Sequence, residues 1–412
     1  MFAQPLPPGV SPMGLPLGNQ LFGSQSPIQQ QAPQREEVPP PPEMDFDRSI
    51  NYLADYSGCG FWRMIWPEHL LNAYSKAVVH STTMMVLDER YYANTFTVRV
   101  QRQATEQQMQ FIQLLKDFQR THKFKIVYEI DDIVFHEDIP DYNKFKAAFV
   151  DPVIRKSAMS IMSMVDEITC PNKFMQQYYK HKTGNNNVTV IPNYPPRFWM
   201  GNFYDPVKIE KNYAKNRKKP RILYAASGAH FDVENRCNQR DDFYHVNEVI
   251  AKTVDKFQWV FIGAFPLSLR NLVAAGKIEF HEWSSLYEYP YLIDKLNCQM
   301  AIAPLADNTF NKAKSDLKHV EACCYGLPIA CQDLCTYENA PIKFKTGDEM
   351  IDQITKTVKY GDTYKKASKA ARAVAETRWL ENSDNLEKYR ELYRYSYKDS
   401  ERVHINSLED NK

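Results

Sequence analysis

Apolar and polar positions follow two periodicities along this chain. From residue 45 onward, short apolar runs of strand length alternate with stretches whose apolar residues recur at the spacing of one helix face. The predicted strands are Ser49–Leu53, Phe96–Val100, Lys125–Glu129, Glu167–Cys170, Val188–Ile191, Ile222–Ala226, Trp259–Gly263 and Met300–Pro304. The predicted helices include Ala104–Arg120, Phe174–Tyr179, Leu380–Tyr397 and one that carries Trp62, Ile65, Trp66 and Leu70 on a single face. Strands that alternate with helices predict the α/β class, with mostly parallel, doubly wound sheets.

The alternation breaks once, at the proline-rich run 191–196 and the basic stretch Lys208–Arg221. A basic stretch can bind the phosphates of a donor or of DNA, although such a stretch more often forms a solvated linker. The predicted organisation is a Rossmann-like domain at 43–200, a basic linker at 201–220, a second Rossmann-like domain at 221–375, and a C-terminal helix within 376–412 that returns to the first domain.

Residues 1–42 differ in composition from the rest of the chain. They hold 11 of the 25 prolines, a run of three glutamines and only two aromatic residues. Such a segment buries too little apolar surface to offset its ordering entropy, so a disordered tail is predicted. The tail is either a docking arm for a partner or, more usually for such sequences, a solvated extension.

Charge and hydropathy exclude two classes of protein. The 51 basic and 50 acidic side chains give a net charge of +1, which excludes a histone-like protein or a strongly basic nucleic-acid coat. The mean hydropathy is −0.53, and no apolar run approaches the ~20 residues of a membrane span. The first residues lack the pattern of a signal peptide, so a cytoplasmic location is expected.

Residue spacing predicts no metal site. The eight cysteines are scattered without a Cys-x-x-Cys motif and are expected to be reduced thiols. The ten histidines show no His-x-x-x-His spacing. Asp45-Phe46-Asp47 has the spacing of metal-dependent transferases, but it precedes the first predicted strand and is interpreted as incidental.

The segment 301–330 carries the most specific chemistry. A strand is predicted to end near Leu305, a polar loop follows, and a helix is predicted to start near Lys314. The free amides of a helix N-terminus suit a diphosphate. On such a helix, Lys318 lies one turn beyond Lys314, and Glu321 two turns beyond it, so the same face can present a carboxylate to sugar hydroxyls.

In order, this segment reads Pro-Leu, Phe-Asn-x-x-Lys-Ser, Leu-Lys, Glu and Gly-x-Pro, and it resembles the nucleotide-sugar half of GT-B glycosyltransferases of the family-four type (glycosyl transferases group 1). The resemblance implies that Lys314, Ser315 and Lys318 face the donor diphosphate. It implies further that Glu321 binds the nucleotide ribose and that Asn311 lines the sugar pocket. A solvated helix face is the alternative meaning of each residue.

Weaker matches extend the resemblance over most of residues 45–395. In the second half, Ser227, Gly228 and His230 stand where the family turns tightly beside the phosphates. Trp283 stands at about the position of the base-binding loop, where it would stack on a base, although a partly buried core tryptophan is the likelier meaning.

In the first half, the glycine turn with Gly58, Gly60 and Arg63 looks like the opening of the acceptor side. Asp131 and Asp132 resemble an acidic strand end that faces the cleft. An isolated glycine turn or aspartate pair is more often structural than functional.

Two departures from the family pattern affect the predicted site. Many members carry a second glutamate eight positions before Glu321, and Ala313 stands there in this chain. The usual Arg and Lys pair after the first strand of the second half is not plainly present, and Arg236 and Arg240 are candidate substitutes.

The resemblance implies an enzyme that transfers a sugar with retention of configuration, without a metal or other cofactor, and with a nucleotide sugar (a UDP-sugar foremost) as co-substrate. Lys314 would stabilise the departing diphosphate. The donor's own phosphate would deprotonate the acceptor hydroxyl, with Asp131 or Asp132 as helper.

The acceptor has several candidates. The variant motif, the glycine turn and the Pro/Gln-rich tail resemble glycosyltransferases of large tailed phages, some relatives of which decorate hydroxylated cytosines in DNA. A glycan or a protein acceptor is at least as compatible with the sequence, and a lipid is less so, since no basic amphipathic helix is present. The alternative from another class is a non-catalytic binding protein on a degenerate scaffold.

Overall fold

The computed structural model describes residues 48–74, 78–135, 138–232 and 241–393. The predicted tail at 1–42, the Asp45-Phe46-Asp47 spacing, and the residues Cys237, Arg236 and Arg240 lie outside the described residues.

The first half contains a six-stranded sheet in which every neighbouring pair is parallel. Its strands are β1 (Arg48–Tyr52), β2 (Val78–Thr82), β3 (Thr95–Gln101), β4 (Lys125–Glu129), β5 (Glu167–Cys170) and β6 (Val188–Val190), in the spatial order β2-β1-β3-β4-β5-β6. Its helices are α1 (Gly58–Gly60), α2 (Trp66–Tyr74), α3 (Glu106–His122), α4 (Lys146–Phe149), α5 (Pro152–Met164), α6 (Lys173–Thr183) and α7 (Arg197–Met200), with a π-helical turn at Phe61–Ile65 between the first two.

The second half contains another six-stranded parallel sheet. Its strands are β7 (Arg221–Ala226), β8 (Gln258–Gly263), β9 (Glu279–His281), β10 (Met300–Ala303), β11 (Ile329–Gln332) and β12 (Lys343–Phe344), in the order β12-β11-β10-β7-β8-β9. The remaining helices are α8 (Pro206–Asn216), α9 (Asn247–Lys252), α10 (Arg270–Ala274), α11 (Tyr289–Leu296), α12 (Thr309–Ala313), α13 (Leu317–Cys324), α14 (Gly347–Val358), α15 (Gly361–Arg378) and α16 (Ser383–Tyr393).

The α/β class with two doubly wound sheets is confirmed, and all eight predicted strands are present with ends within one residue of the prediction. The second sheet has the strand order of a complete Rossmann fold, and the first extends the order 2-1-3-4-5 of flavodoxin-like folds. In the second sheet the chain leaves β7 and β10, which are neighbours, in opposite directions. The crevice between those two connections, at the carboxyl ends of the strands, is where doubly wound sheets bind ligands.

Each sheet is covered on both faces, as its near-continuous apolar strands predict. All five residues of β4 are buried, and β7 and β8 are almost entirely buried. Helix starts follow local capping rules: Thr105 and Gln108 form a capping box at α3, and Asp151 caps α5 with Pro152 in its first turn.

The C-terminal helix α16 packs on the first sheet. Leu386 and Tyr389 share a buried apolar cluster with Trp66 and Val127, and the Tyr393 hydroxyl donates to Asn51 Oδ1 at 2.7 Å. The final described element therefore crosses back from the second half to the first. The predicted division into domains at particular residues stays a prediction.

The basic stretch forms α8 and lies at the amino ends of the second sheet. The Asn212 and Asn216 side chains bond to Asn297, just before β10 begins, and Lys208 Nζ is 2.5 Å from Asp294 Oδ1. Because ligand sites of such sheets lie at the opposite, carboxyl edge, α8 is badly placed to hold donor phosphates.

The described part of the chain holds no helix both long and apolar enough to span a bilayer.

Candidate active site

The crevice of the second sheet is formed by the connections that follow β7 and β10. After β7 the chain makes a single 3₁₀ turn, Gly228–His230, in which the Ser227 hydroxyl accepts a hydrogen bond from the Ala229 amide. After β10 it makes two short helices, α12 and α13. Most of the donor-binding residues predicted from the sequence lie on these two connections.

A helix starts shortly after the predicted position near Lys314-Ser315, and a short helix that was not predicted precedes it. Helix α12 begins five residues earlier, where the Asn308 side chain accepts from the Asn311 amide at 2.8 Å, and α13 begins only at Leu317. Lys314 separates them with extended backbone angles, φ −59° and ψ 147°. Asn172 of the first half donates to the carbonyls of Ala313 and Lys314, so a residue remote in sequence occupies acceptors that a continuous helix would use.

Lys314 therefore lies in the break between two helices, while Lys318 lies in the first turn of α13. Lys318 Nζ is 3.1 Å from the Tyr224 hydroxyl and 4.4 Å from the centre of that ring. Burial lowers the pKa of the Lys318 ammonium to about 7, and the charge of Lys314 adds to the shift, while Asp242 opposes it. The charges of Lys314 and Lys318 therefore affect the same region of the crevice, although the two residues do not lie on one helix face.

Lys314 also reaches across to the first half. Its Nζ is 3.4 Å from Asp132 Oδ2, just beyond the carboxyl end of β4. Burial raises the pKa of the Asp132 carboxyl despite the nearby Lys314 charge. Asp131 differs, since Arg102 Nη2 lies 2.5 Å from its Oδ1 and helps outweigh burial, so that its pKa is lowered. Of the two predicted aspartates, Asp132 is the one that contacts a predicted donor-site residue.

Glu321 lies beside a pocket between the second sheet and helices α11 and α13. Burial raises the pKa of its carboxyl to about 7, against the opposing effects of Lys318 and of a hydrogen bond from Tyr289. The hydroxyl of Tyr325, also in the pocket wall, is buried and lacks a hydrogen-bond partner among the described residues. The pocket is small, with a cavity volume of about 30 Å³, and its lining includes Leu223, Ala225, Tyr289, Ile293, Lys318, Glu321 and Tyr325.

Trp283 lies at the rim of the same region. Its ring is stacked on Tyr289 at 5.6 Å between centroids and 24° between planes, and the residue is 43 % exposed. Trp283 is therefore partly buried, as expected, and its stacking on a base stays a prediction. Gly263 permits this placement: its φ is +86°, and a Cβ there would lie 2.4 Å from Trp283 Cε3 and 2.6 Å from the Ala226 carbonyl oxygen.

Asn311 and His230 meet at a residue that the sequence did not single out, Asp242. Asn311 Nδ2 lies 2.6 Å from Asp242 Oδ1, and His230 Nδ1 lies 2.5 Å from Oδ2. The Tyr142 hydroxyl of the first half donates to Oδ1 at 2.8 Å. Asn311 is completely buried, so it supports this network rather than lining an open pocket.

Ser315 is connected to the first half through Asn193. Asn193 Nδ2 donates to the Ser315 hydroxyl at 3.0 Å, and Asn193 Oδ1 accepts from Arg63 Nη1 at 2.9 Å. Arg63 is fully buried and also pairs with Glu129 at 2.6 Å. The predicted placement of Arg63 on the acceptor surface is therefore wrong, because a substrate cannot reach it directly.

Only one of the two predicted glycines of the first-half turn is needed for its shape. A Cβ on Gly60 would lie 2.0 Å from the Asp55 carbonyl oxygen, whereas a Cβ on Gly58 would meet nothing within 4 Å. Asp55 Oδ1 also accepts from the Ser57 amide at 2.8 Å. The turn is therefore held by Asp55 and Gly60.

Comparison with known proteins identifies the fold. No family model matches the chain, and a search of curated proteins finds no match. Among solved structures, the chain is similar to HepE of Anabaena in complex with UDP, with a TM-score of 0.57, 9 % identity, and 84 % of this chain and 99 % of that one covered. A glycosyltransferase from Rickettsia africae ESF-5 has a TM-score of 0.55 and 13 % identity, with 85 % of this chain and 98 % of that one covered. The N-terminal domain of Candida albicans trehalose-6-phosphate phosphatase has a TM-score of 0.55 and 10 % identity, with 84 % and 96 % covered.

The fold is GT-B. At these identities the likeness concerns the fold alone, and the third structure is named for a different activity. In GT-B terms, the crevice of this chain is the region between the turn after β7 and the break before α13. Membership of the family-four group stays part of the proposal below.

Several residues of this GT-B crevice were missed by sequence reasoning. Asp242, Tyr142 and Asn172 stand in polar loops without a motif. Their partners across the crevice are 64 to 169 positions away in the chain, and His230, 12 positions from Asp242, is nearer. Arg102, which pairs with Asp131, stands two residues beyond the predicted strand Phe96–Val100, and that position was the available signal. Among the described residues, no group of three or more His, Cys, Asp or Glu side chains is arranged to hold a metal ion.

Proposed function

We propose that this protein is a glycosyltransferase of the family-four type that moves a sugar from a nucleoside-diphosphate sugar, foremost a UDP-sugar, to a hydroxyl acceptor. One observation carries the proposal. At the ligand crevice of a GT-B fold, Lys318 and Glu321 line a small pocket together with Tyr289, on whose ring the part-exposed Trp283 is stacked, and Lys314 is close enough for its charge to lower the pKa of Lys318. Two ammonium groups suit a diphosphate, a carboxylate suits ribose hydroxyls, and an exposed indole suits a base.

The proposed chemistry is electrostatic. Lys314, Lys318 and the amides of the turn Ser227–His230 stabilise the charge that grows on the departing diphosphate, and the fold orients the acceptor hydroxyl. Transfer proceeds with retention and without a metal ion. Glu321 holds the ribose, whose charge does not change, so its contribution is to donor affinity.

Asp132 is the proposed helper on the acceptor side. In the free protein it pairs with Lys314 at 3.4 Å. When a donor diphosphate engages Lys314, that ammonium has a new anionic partner. Asp132 then loses part of the charge that lowers its pKa, and its carboxylate becomes a better proton acceptor for the attacking hydroxyl.

A binding experiment tests the donor proposal. Isothermal titration with UDP, ADP, GDP and CDP is expected to show micromolar binding of one of them, with UDP as the first candidate. Glu321→Gln is expected to weaken that binding, and the matched exposed variant Glu338→Gln is expected to leave it unchanged. Millimolar binding of all four would contradict the donor proposal and favour a non-catalytic scaffold.

A transfer assay tests the chemistry. The donor that binds is incubated with candidate acceptors with and without EDTA, and the anomeric configuration of the product is read by NMR. Full turnover in EDTA and a retained anomer are expected. Loss of activity that returns on adding a divalent cation would contradict the metal-free mechanism, and an inverted product would contradict retention.

For the acceptor, we propose a hydroxylated cytosine in DNA, with a glycan or a protein as the competing classes. The family resemblance supports this choice, whereas α8 does not, because it lies at the amino edge of the second sheet. Comparing transfer to DNA oligomers with and without 5-hydroxymethylcytosine separates the classes. Transfer to a glycan or protein but not to modified DNA would contradict it.

A further inference from the structure

Asp242 is a buried carboxylate whose oxygens are all engaged by donors from separate parts of the chain. Oδ1 accepts from the Tyr142 hydroxyl at 2.8 Å, from Asn311 Nδ2 at 2.6 Å and from the Ala306 amide at 3.0 Å. Oδ2 accepts from His230 Nδ1 at 2.5 Å. Burial raises the pKa of this carboxyl, but the hydrogen bonds from His230 and the Ala306 amide, together with the charge of Lys314, outweigh burial and leave the pKa below its usual range. Asp242 is therefore ionised and can only accept.

This arrangement fixes the tautomer of His230. Because the Asp242 carboxylate has no proton to give, His230 Nδ1 must carry the hydrogen of their bond. Burial and the charge of Lys318 lower the pKa of the imidazole to about 3, so the ring is neutral at physiological pH. A neutral ring protonated at Nδ1 has an unprotonated Nε2, which accepts hydrogen bonds and donates none.

The position of His230 limits which groups of a ligand its Nε2 can contact. His230 ends the turn after β7, in the proposed diphosphate region, and its side chain keeps about 10 % of its surface accessible. An unprotonated nitrogen repels phosphate oxygens, which are themselves acceptors. In a nucleoside-diphosphate sugar, the hydrogen-bond donors on either side of the diphosphate are the hydroxyls of the transferred sugar and of the ribose, and the ribose is already assigned to Glu321.

We propose that Asp242 is a positioning residue that holds His230 in the Nδ1–H tautomer, so that Nε2 accepts a hydrogen bond from a hydroxyl of the donor sugar. The inference rests on the proposed function and adds to it a residue that contacts the transferred sugar rather than the nucleotide. Hydrogen bonds from Tyr142 and Asn311 hold Asp242 in place. Because Tyr142 belongs to the first half of the chain, this hydrogen-bond network depends on the first half.

The chain offers a selective variant. In His230→Asn, the side-chain amide can still donate to Asp242 from near the Nδ1 position, while the Nε2 acceptor is gone. Isothermal titration is run with UDP and with UDP-glucose, UDP-galactose and UDP-N-acetylglucosamine. The wild type is expected to bind one of the sugars more tightly than UDP. His230→Asn is expected to weaken that sugar nucleotide about threefold to tenfold, the scale of one hydrogen bond, and to leave UDP unchanged.

The positioning role has its own readout. Nitrogen-15 NMR of the imidazole is expected to show Nδ1–H in the wild type and a shift toward Nε2–H in Asp242→Asn, whose amide nitrogen can donate to the ring. Tyr142→Phe is the matched control, since it removes one hydrogen bond to Asp242 without changing what His230 meets. It is expected to lower the melting temperature and keep the Nδ1–H tautomer.

The outcomes separate the two levels of the argument. If no nucleotide binds the wild type, the proposed function fails, and this inference fails with it. If UDP binds but no sugar nucleotide binds more tightly, or if His230→Asn affects UDP and its sugar esters equally or not at all, the inference is overturned while the donor proposal stands. An unchanged tautomer in a folded Asp242→Asn protein overturns the positioning role.

Discussion

Lys314 and Glu321 illustrate two chemically different roles at the scale of single residues. Lys314→Ala is expected to lower kcat roughly 10²–10³-fold, because its ammonium is proposed to face the charge that grows on the leaving diphosphate. Steady-state kinetics on the variant, with Lys312→Ala as the matched control on the neighbouring helix, measures this. Lys312 pairs with Asp307 instead, at 2.7 Å. If Lys314→Ala turns over normally while folded, the diphosphate is held elsewhere, and Arg236 and Arg240 become the next candidates.

Glu321→Gln is expected to act mainly on KM. The ribose hydroxyls carry the same charge before and during the reaction, so the lost contact is uniform binding. A charge-assisted hydrogen bond contributes about 1.5–3 kcal/mol, which corresponds to a KM increase of roughly 10–150-fold. Glu338→Gln is the control in the same assay. A kcat loss larger than the KM change would place Glu321 at the reacting centre.

Lys318 and Glu321 together predict a bell-shaped pH dependence of donor affinity. Burial lowers the pKa of Lys318 to about 7, so its charge is lost as the pH rises through 7. Burial raises the pKa of Glu321 to about 7, so its charge is lost as the pH falls through 7. The affinity for UDP should therefore peak near neutral pH and decline on both sides.

Titration of UDP binding between about pH 5.5 and 8.5 measures that profile. The phosphate of UDP itself has a pKa of about 6. Protonation of UDP and protonation of Glu321 therefore both contribute to the acid limb of the wild-type profile. Glu321→Gln should flatten the acid limb, and Lys318→Met should remove the alkaline limb. An alkaline limb that persists in Lys318→Met would assign it to another group.

At this scale the sequence located the charged residues but not their partners. Lys314, Lys318 and Glu321 stand in one motif of eight positions and were found by it. Asp242 is bound by Tyr142 and Asn311, which are 100 and 69 positions away, and by the nearer His230, and only the folded chain brings these residues together. For Arg63 the sequence led to the opposite error. An arginine at a turn is expected to be exposed, but this one is buried and pairs with Glu129.

At the scale of secondary-structure elements, apolar runs predicted eight strands to within one residue, whereas β2, β9, β11 and β12 were not predicted. Three of the four, β2, β9 and β12, are edge strands, and β9 and β12 have three and two residues. An edge strand is short and partly exposed, so its sequence lacks a continuous apolar run. The break between α12 and α13 was missed because Asn172, from the other half, helps to make it.

Gly263, at the end of β8, gives a prediction at this scale. Gly263→Ala must place a Cβ 2.4 Å from Trp283 in a backbone with φ +86°. Gly276→Ala has a similar φ of +67° but meets nothing within 4 Å. Both variants are expected to lose about 1–2 kcal/mol to backbone strain, and Gly263→Ala more.

Chemical denaturation measures that difference, and tryptophan fluorescence during UDP titration reports the consequence for the proposed base platform. Gly263→Ala is expected to weaken UDP binding and alter the fluorescence response, while Gly276→Ala keeps both. Equal behaviour of the two variants would show that Trp283 does not need Gly263.

At the scale of the whole molecule, the prediction of two doubly wound halves rested on how strands and helices alternate, which is a property of the entire sequence. The tail at 1–42 breaks that pattern, and its composition gives no material for a core. Deleting it is expected to leave donor turnover within about tenfold of the full chain. A greater loss with an unchanged melting curve would mean that the tail joins the active site.

The connection from Asn308 to Asp316 belongs to the second sheet, yet Asp132, Tyr142, Asn172 and Asn193 of the first half hold it. A GT-B enzyme that opens its cleft to release products must separate those groups from it. The same movement then separates Lys314, the lysine proposed to hold the leaving diphosphate, from those supports. Under that proposal, departure of the spent nucleotide and opening of the cleft would be one event, and the protein would loosen its hold on product at the moment when a path to solvent appears.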